Sequence, residues 1–123
     1  MRAIKISTAE GEVMQVLWRE APLPVSTLVR ELAARKGWRS STTRTLLRRL
    51  IQKGAVTVRD AQRPYLYQPR LRQRDCARSE SQSLLERFFG GNPVEMLVQL
   101  VEQTPLSPED VKRLRRILAK REK

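Results

Sequence analysis

The chain has no histidine, one cysteine, and two each of Phe, Trp and Tyr among 123 residues. Without histidine it lacks the side chain that most often serves as general base or metal ligand near neutral pH. A soft-metal centre needs clustered thiolates, and Cys76 stands alone. Cys76 also cannot form an internal disulfide, which fits a reducing compartment; it is read as a bystander. The few aromatics do not supply the stacking platform of a single-strand binder. No apolar run approaches the roughly 20 residues that cross a bilayer. The opening Met1-Arg2-Ala3-Ile4-Lys5-Ile6 is too short and mixed for a signal peptide. A cytoplasmic protein without membrane attachment is expected. Acid is scarce too, with 13 Asp and Glu against 25 Lys and Arg. The basic half holds no carboxylate cluster, so no acid–base pair presents itself. An enzyme is not expected, nor a cofactor or metal.

What is present is positive charge, unevenly placed. The net charge of +12 suggests an anionic partner. Within residues 39–74, ten Lys and Arg face Asp60 alone, whereas residues 76–123 are nearly balanced. A basic block followed by a neutral tail reads as a nucleic-acid module joined to an interaction module. We place the first at 1–71 and the second at 72–123.

The richest stretch runs from Trp38 to Gly54. Ser40 or Ser41 can cap a helix start and Gly54 can end it. Leu46, Leu47, Leu50 and Ile51 form one apolar stripe. At about 100° per residue, Ser41, Thr45, Arg48 and Gln52 point the other way. Arg44 and Arg49 flank that outer face, and Thr42 lies at its edge. Hydroxyls, an amide and guanidinium groups on one helix face suit base edges and phosphates in a major groove.

The neighbouring sequence supports a helix-turn-helix. Ser7 and Glu10 spell a capping box for a helix over about 8–20, with Val13, Met14, Val16, Leu17 and Trp18 inward. Pro22 and Pro24 break it. Val25 is read as a short strand and Ser26 as the cap of a second helix, which Gly37 ends. Past Gly54 the period switches to two over Val56–Arg59 and again over Tyr65–Gln68, around a turn-like Asp60-Ala61-Gln62-Arg63-Pro64. That is a β-hairpin, or wing, with Arg59 and Arg63 near its tip for phosphate or minor-groove contact. Tyr65 and Tyr67 are read as packing residues.

A basic connector, Pro69 to Asp75, leads to three further helices. The first, about 72–89, carries Leu84, Leu85, Phe88 and Phe89 before Gly90-Gly91. The second starts at Pro93 with Val94, Met96, Leu97, Leu100 and Val101 inward. The third starts at Ser107-Pro108-Glu109-Asp110 with Val111, Leu114, Ile117 and Leu118 inward. So few residues struggle to bury such stripes alone; burial against a second copy or back on the first module would do it. A homodimer also matches two symmetric half-sites of duplex DNA. The expected class is thus mainly α: a winged helix-turn-helix DNA-binding domain with a C-terminal three-helix dimerisation region. The competing function is a basic structural protein that binds DNA or RNA without sequence preference.

Several of these stretches also resemble one family: Ile6-Ser7 with Ala9-Glu10, Val13-Met14, Leu17-Trp18, Trp38, Thr42, Arg44-Thr45-Leu46, Arg49-Leu50, Lys53-Gly54, Tyr65, Tyr67, Pro69, Phe88, Gly90-Gly91 and Leu97-Val98. The chain resembles the penicillinase and methicillin-resistance repressors over nearly its whole length. The resemblance implies a dimeric repressor on a palindromic operator, with Thr42, Arg44 and Thr45 at groove-contacting positions. Ser41 stands where the family often has lysine. The resemblance further implies relief of repression by a sensor-activated protease on a signal such as a β-lactam. The family's Asn-Phe cleavage pair corresponds here to Gln99-Leu100, and Leu100 also has a plain packing role. Copper-responsive repressors of the same architecture carry clustered cysteines that this chain lacks.

Overall fold

Local capping chemistry sets most of the helix boundaries in the computed structural model, which describes residues 4–59 and 62–122. Helix α1 spans Thr8–Glu20 and opens on the expected box: Ser7 Oγ accepts from Glu10 N at 3.1 Å, and Glu10 Oε1 accepts from Ser7 N at 2.9 Å. Helix α2 spans Val25–Lys36 and ends at Gly37, whose φ of 68° glycine adopts without strain. Helix α3 spans Ser40–Lys53 and ends at Gly54, φ 83°.

Two expected caps and one expected strand are corrected. The residue capping α2 is Pro24, not Ser26, and the one capping α3 is Arg39, not Ser40 or Ser41; neither makes a side-chain cap bond. Val25 is helical. The extended residue is its neighbour Leu23, which forms a bridge to Tyr67 with Leu23 N donating at 3.0 Å and Tyr67 N donating back at 2.7 Å. A residue before proline is driven out of the helical region, so Pro24 extends Leu23, and α2 begins directly after it at Val25, ahead of the expected start.

Strands β1 (Val56–Val58) and β2 (Tyr67–Pro69) pair antiparallel, Val56 facing Pro69 and Val58 facing Tyr67. The turn-like Asp60 and Ala61 lie outside the described residues. The core beneath is Val13, Met14, Val16 and Leu17 of α1, Leu28 and Leu32 of α2, Leu46, Leu47 and Leu50 of α3, with Ala55 and Val56. Trp18 packs partly buried against it, and its indole Nε1 donates to Leu71 O at 2.8 Å.

Helix α4 spans Gln73–Phe89, α5 Pro93–Gln103 and α6 Pro108–Arg121. Asn92 caps α5, and Ser107 with Asp110 forms a capping box on α6. The chain divides into two compact units, Met1–Glu80 and Ser81–Lys123, with α4 continuous through the division. None of the described residues of α4, α5 or α6 is buried. The stripes expected to face inward lie open: Phe88, Val94, Leu97, Leu100, Val101, Leu114, Ile117 and Leu118 are all exposed.

Candidate nucleic-acid interface

The side chains that could meet DNA are set by which face of α3 is sealed. Thr43, Leu46, Leu47 and Leu50 are buried, the i, i+3, i+4, i+7 spacing of a single helix face. Ile51, expected in the core, is instead 38% exposed, because the buried arc is centred one step toward Thr43. Thr43, which sequence reasoning missed, is wholly buried, and its Oγ1 has no hydrogen-bond partner among the described residues.

With that face packed on α1 and α2, the others are held outward. Ser41, Thr42, Arg44, Thr45, Arg48, Arg49 and Gln52 are all exposed. They make no side-chain hydrogen bond or ion pair among the described residues. Their donors and acceptors are therefore free for a ligand. The first turn of α3 contains no acid and Arg39 gives no side-chain cap, although Thr42 N already donates to Arg39 O at 3.1 Å, so no carboxylate of that turn repels a phosphate.

Arg59 follows β1 and Arg63 precedes β2, both exposed. Arg63 lies 5.9 Å from the Tyr65 ring centroid, a cation–π contact that steadies an otherwise free guanidinium. Tyr65 is 40% exposed, not packed as expected, while Tyr67 sits against the core. A hollow of about 290 Å³ separates α3 from the hairpin, walled by Arg44, Arg48, Ile51 and Gln52 on one side and Tyr67 on the other. A neighbouring hollow of about 460 Å³ is lined by Pro24, Ser26, Arg63 and Tyr65. An anionic group would meet the guanidinium groups of Arg44 and Arg48 at the first hollow and that of Arg63 at the second. Duplex DNA carries one negative charge per about 1.7 Å of axis, so such contacts dominate affinity.

One cation near α3 is already taken. Lys53 Nζ donates to the carboxylate of Glu10, which is 2% exposed, and to Lys5 O at 2.8 Å. Burial pushes the Glu10 carboxyl up, but the Lys53 ammonium and the Ser7 amide and hydroxyl outweigh it and hold it below its ordinary value. Sequence reasoning found Glu10 only as a capping partner. Cys76 is half-buried; burial, then Asp75 and Glu80, pushes its thiol up, away from the reactive thiolate. Among the described residues no His, Cys, Asp and Glu cluster could hold a metal, and no helix is long and apolar enough to cross a membrane.

Comparison with known proteins places this geometry among repressors. The model of the penicillinase repressor family matches residues 6–120. The penicillinase repressor of Bacillus licheniformis is 34% identical over 114 residues, 93% of this chain and 89% of that protein. The methicillin resistance regulatory protein MecI of Staphylococcus aureus is 27% identical over 120 residues, 98% of each chain. The solution structure of the DNA-binding domain of the repressor BlaI matches with a TM-score of 0.54 and 36% identity, over 61% of this chain and 93% of that one. Monomeric Bacillus licheniformis BlaI in complex with the blaP half-operator matches with the same TM-score, identity and coverage.

Proposed function

The chain belongs to the penicillinase repressor family, and from that premise we propose that it is a transcriptional repressor acting as a homodimer on a palindromic operator. The observation that carries this is α3: an apolar face sealed in the core beneath an exposed face of Ser41, Thr42, Arg44, Thr45, Arg48, Arg49 and Gln52. In this reading α3 lies in the major groove, and Arg59 and Arg63 reach phosphate or the minor groove from the hairpin. Residues 1–71 bind DNA and residues 72–123 join two copies. The half-operator complex of BlaI supports the DNA partner by similarity.

The dimer rests on the exposed Leu84, Phe88, Leu97, Leu100, Val101, Leu114, Ile117 and Leu118, with the half-buried Leu85 and Phe89 beside them. Exposed apolar surface of this extent marks an interaction site. Charge favours a second copy as the occupant. Helix α5 carries Glu95 and Glu102 and no cation, while α6 carries Lys112, Arg113, Arg115, Arg116, Lys120 and Arg121. In an isologous dimer each copy's α5 can meet its partner's α6, with opposite charges flanking apolar stripes. Relief of repression would follow a cut at Gln99-Leu100 by a sensor-activated protease in the cytoplasm. The cut falls in the middle of α5, so it removes part of the stripe and weakens the dimer.

Fluorescence anisotropy against the duplex upstream of this chain's own gene, with a scrambled duplex as competitor, tests the reading. Expected is binding that survives competitor and saturates at two chains per site. Equal affinity for both duplexes would favour the basic structural protein.

A further inference from the structure

Among the described residues, Lys53 is the one cation of α3 whose side chain is engaged by other protein groups. It is the last residue of α3, and its ammonium is held between the Glu10 carboxylate and Lys5 O. The same Glu10 oxygen accepts from Ser7 N at 2.9 Å, so the start of α1 and the end of α3 share one acceptor. A Cβ on Gly54 would meet the side chain of Ile4 at 4.0 Å, which shows the N-terminal segment lying across the same helix end. The opposite end of α3 has no side-chain cap. Among the described residues, the helix that presents Thr45, Arg48 and Gln52 is thus tied by side-chain polar contacts at its C-terminal end only.

We propose that Glu10 and Lys53 are positioning residues for DNA reading. Their bond fixes the roll and height of α3, while Lys53 itself does not touch DNA. Two physical points carry this. An ammonium already bonded to a buried carboxylate has its charge neutralised, so it adds little to the phosphate count. A base contact is directional, and a small rotation of α3 would misalign its bidentate groups while leaving non-directional phosphate attraction almost intact. The inference rests on the proposed role of α3 in reading an operator.

The test uses the full chain, the duplex upstream of its own gene and a scrambled duplex of equal length. Affinities are measured over a salt series, below the temperature at which any variant begins to unfold. Lys53→Met and Glu10→Gln are each expected to lower the preference for the first duplex by about tenfold, the worth of one base contact. The salt slope should not change. Lys53→Arg, which can still bond Glu10, should keep most of the preference. Should Lys53→Met fail to fold, the double variant Glu10→Gln with Lys53→Met decides, since it leaves no unpaired carboxylate and glutamine can still close the capping box with Ser7; its preference should also fall. Folded variants with parental preference would overturn the proposal and leave the pair a structural bond only. A slope lower by about one unit in Lys53→Met, with both duplexes weakened equally, would make Lys53 a phosphate contact instead. Absence of preference in the parent would overturn the operator reading and this inference with it.

Discussion

Thr43→Val should make the protein more stable without changing how it binds DNA. Thr43 is wholly buried in α3 beside Leu46, Leu47 and Leu50, and its Oγ1 has no partner among the described residues. A buried hydroxyl left without a hydrogen bond costs about 1–3 kcal/mol. Valine keeps the shape and the branched Cβ, and its helix propensity is close to that of threonine. The gain is then about 1–2 kcal/mol, the lower half of that range, because side chain and backbone relax around an isosteric change. For a domain of this size each kcal/mol raises Tm by roughly 4–8 °C. Both tryptophans, Trp18 and Trp38, belong to the Met1–Glu80 unit and pack against its core, so fluorescence-detected urea unfolding reports that unit. The midpoint should rise with no change in slope. Thr43→Ser is the control: it keeps the hydroxyl, loses a methyl, and should cost about 0.8 kcal/mol. A lower midpoint for Thr43→Val would refute the reasoning, because it would mean that the hydroxyl is bonded in solution, for instance to a carbonyl one turn earlier.

Acid should weaken the fold through Glu10. Its folded pKa lies below its unfolded one, so it adds stability above the unfolded value of about 4.3. That stability is lost as pH falls through the lower folded pKa. Glu10→Gln should flatten the acid limb of a stability–pH curve, and an unaltered limb would contradict the pairing. Arg44→Ala or Arg48→Ala should cost about 1–3 kcal/mol in operator affinity if either meets a base edge. Arg63→Ala should weaken every duplex alike and lower the salt slope by about one unit, as a titration over salt would reveal. Leu97→Asp should shift sedimentation from dimer to monomer, since a charge would enter the apolar stripe of α5; an unchanged dimer would locate the interface elsewhere.

Much of this architecture is legible in the sequence because its signals are local. Ser7 with Glu10 and Ser107 with Asp110 lie three residues apart, and Gly37 and Gly54 stop helices by their own conformational freedom. The errors arise where distant residues decide. Ser26 looks like a cap, yet Pro24 takes the position, the extended Leu23 before it being set both by its proline neighbour and by pairing with Tyr67, 44 residues later. Ile51 fits the apolar stripe on paper. The packing of α3 on α1 and α2 instead centres the buried arc on Thr43, Leu46, Leu47 and Leu50. The outward face of α3 was readable because a sealed face implies its opposite. The Glu10–Lys53 bond was not, since nothing local joins residues 43 positions apart.

The bond from the Trp18 indole to Leu71 O governs where the chain can be lengthened. That carbonyl lies two residues ahead of α4, and Arg70 N is likewise held, by Ala55 O at 2.8 Å. The passage from hairpin to α4 therefore has no slack: an insertion between Arg70 and Gln73 must break one of these bonds or displace the first turn of α4. Gly90 and Gly91, with left-handed backbone and open space around each α-carbon, form a second join of a different kind. A Cβ added at either glycine would meet no atom within 4 Å. A tag or reporter placed at the glycine pair should be accepted, whereas the same tag placed beside Leu71 should loosen the DNA-binding unit from within.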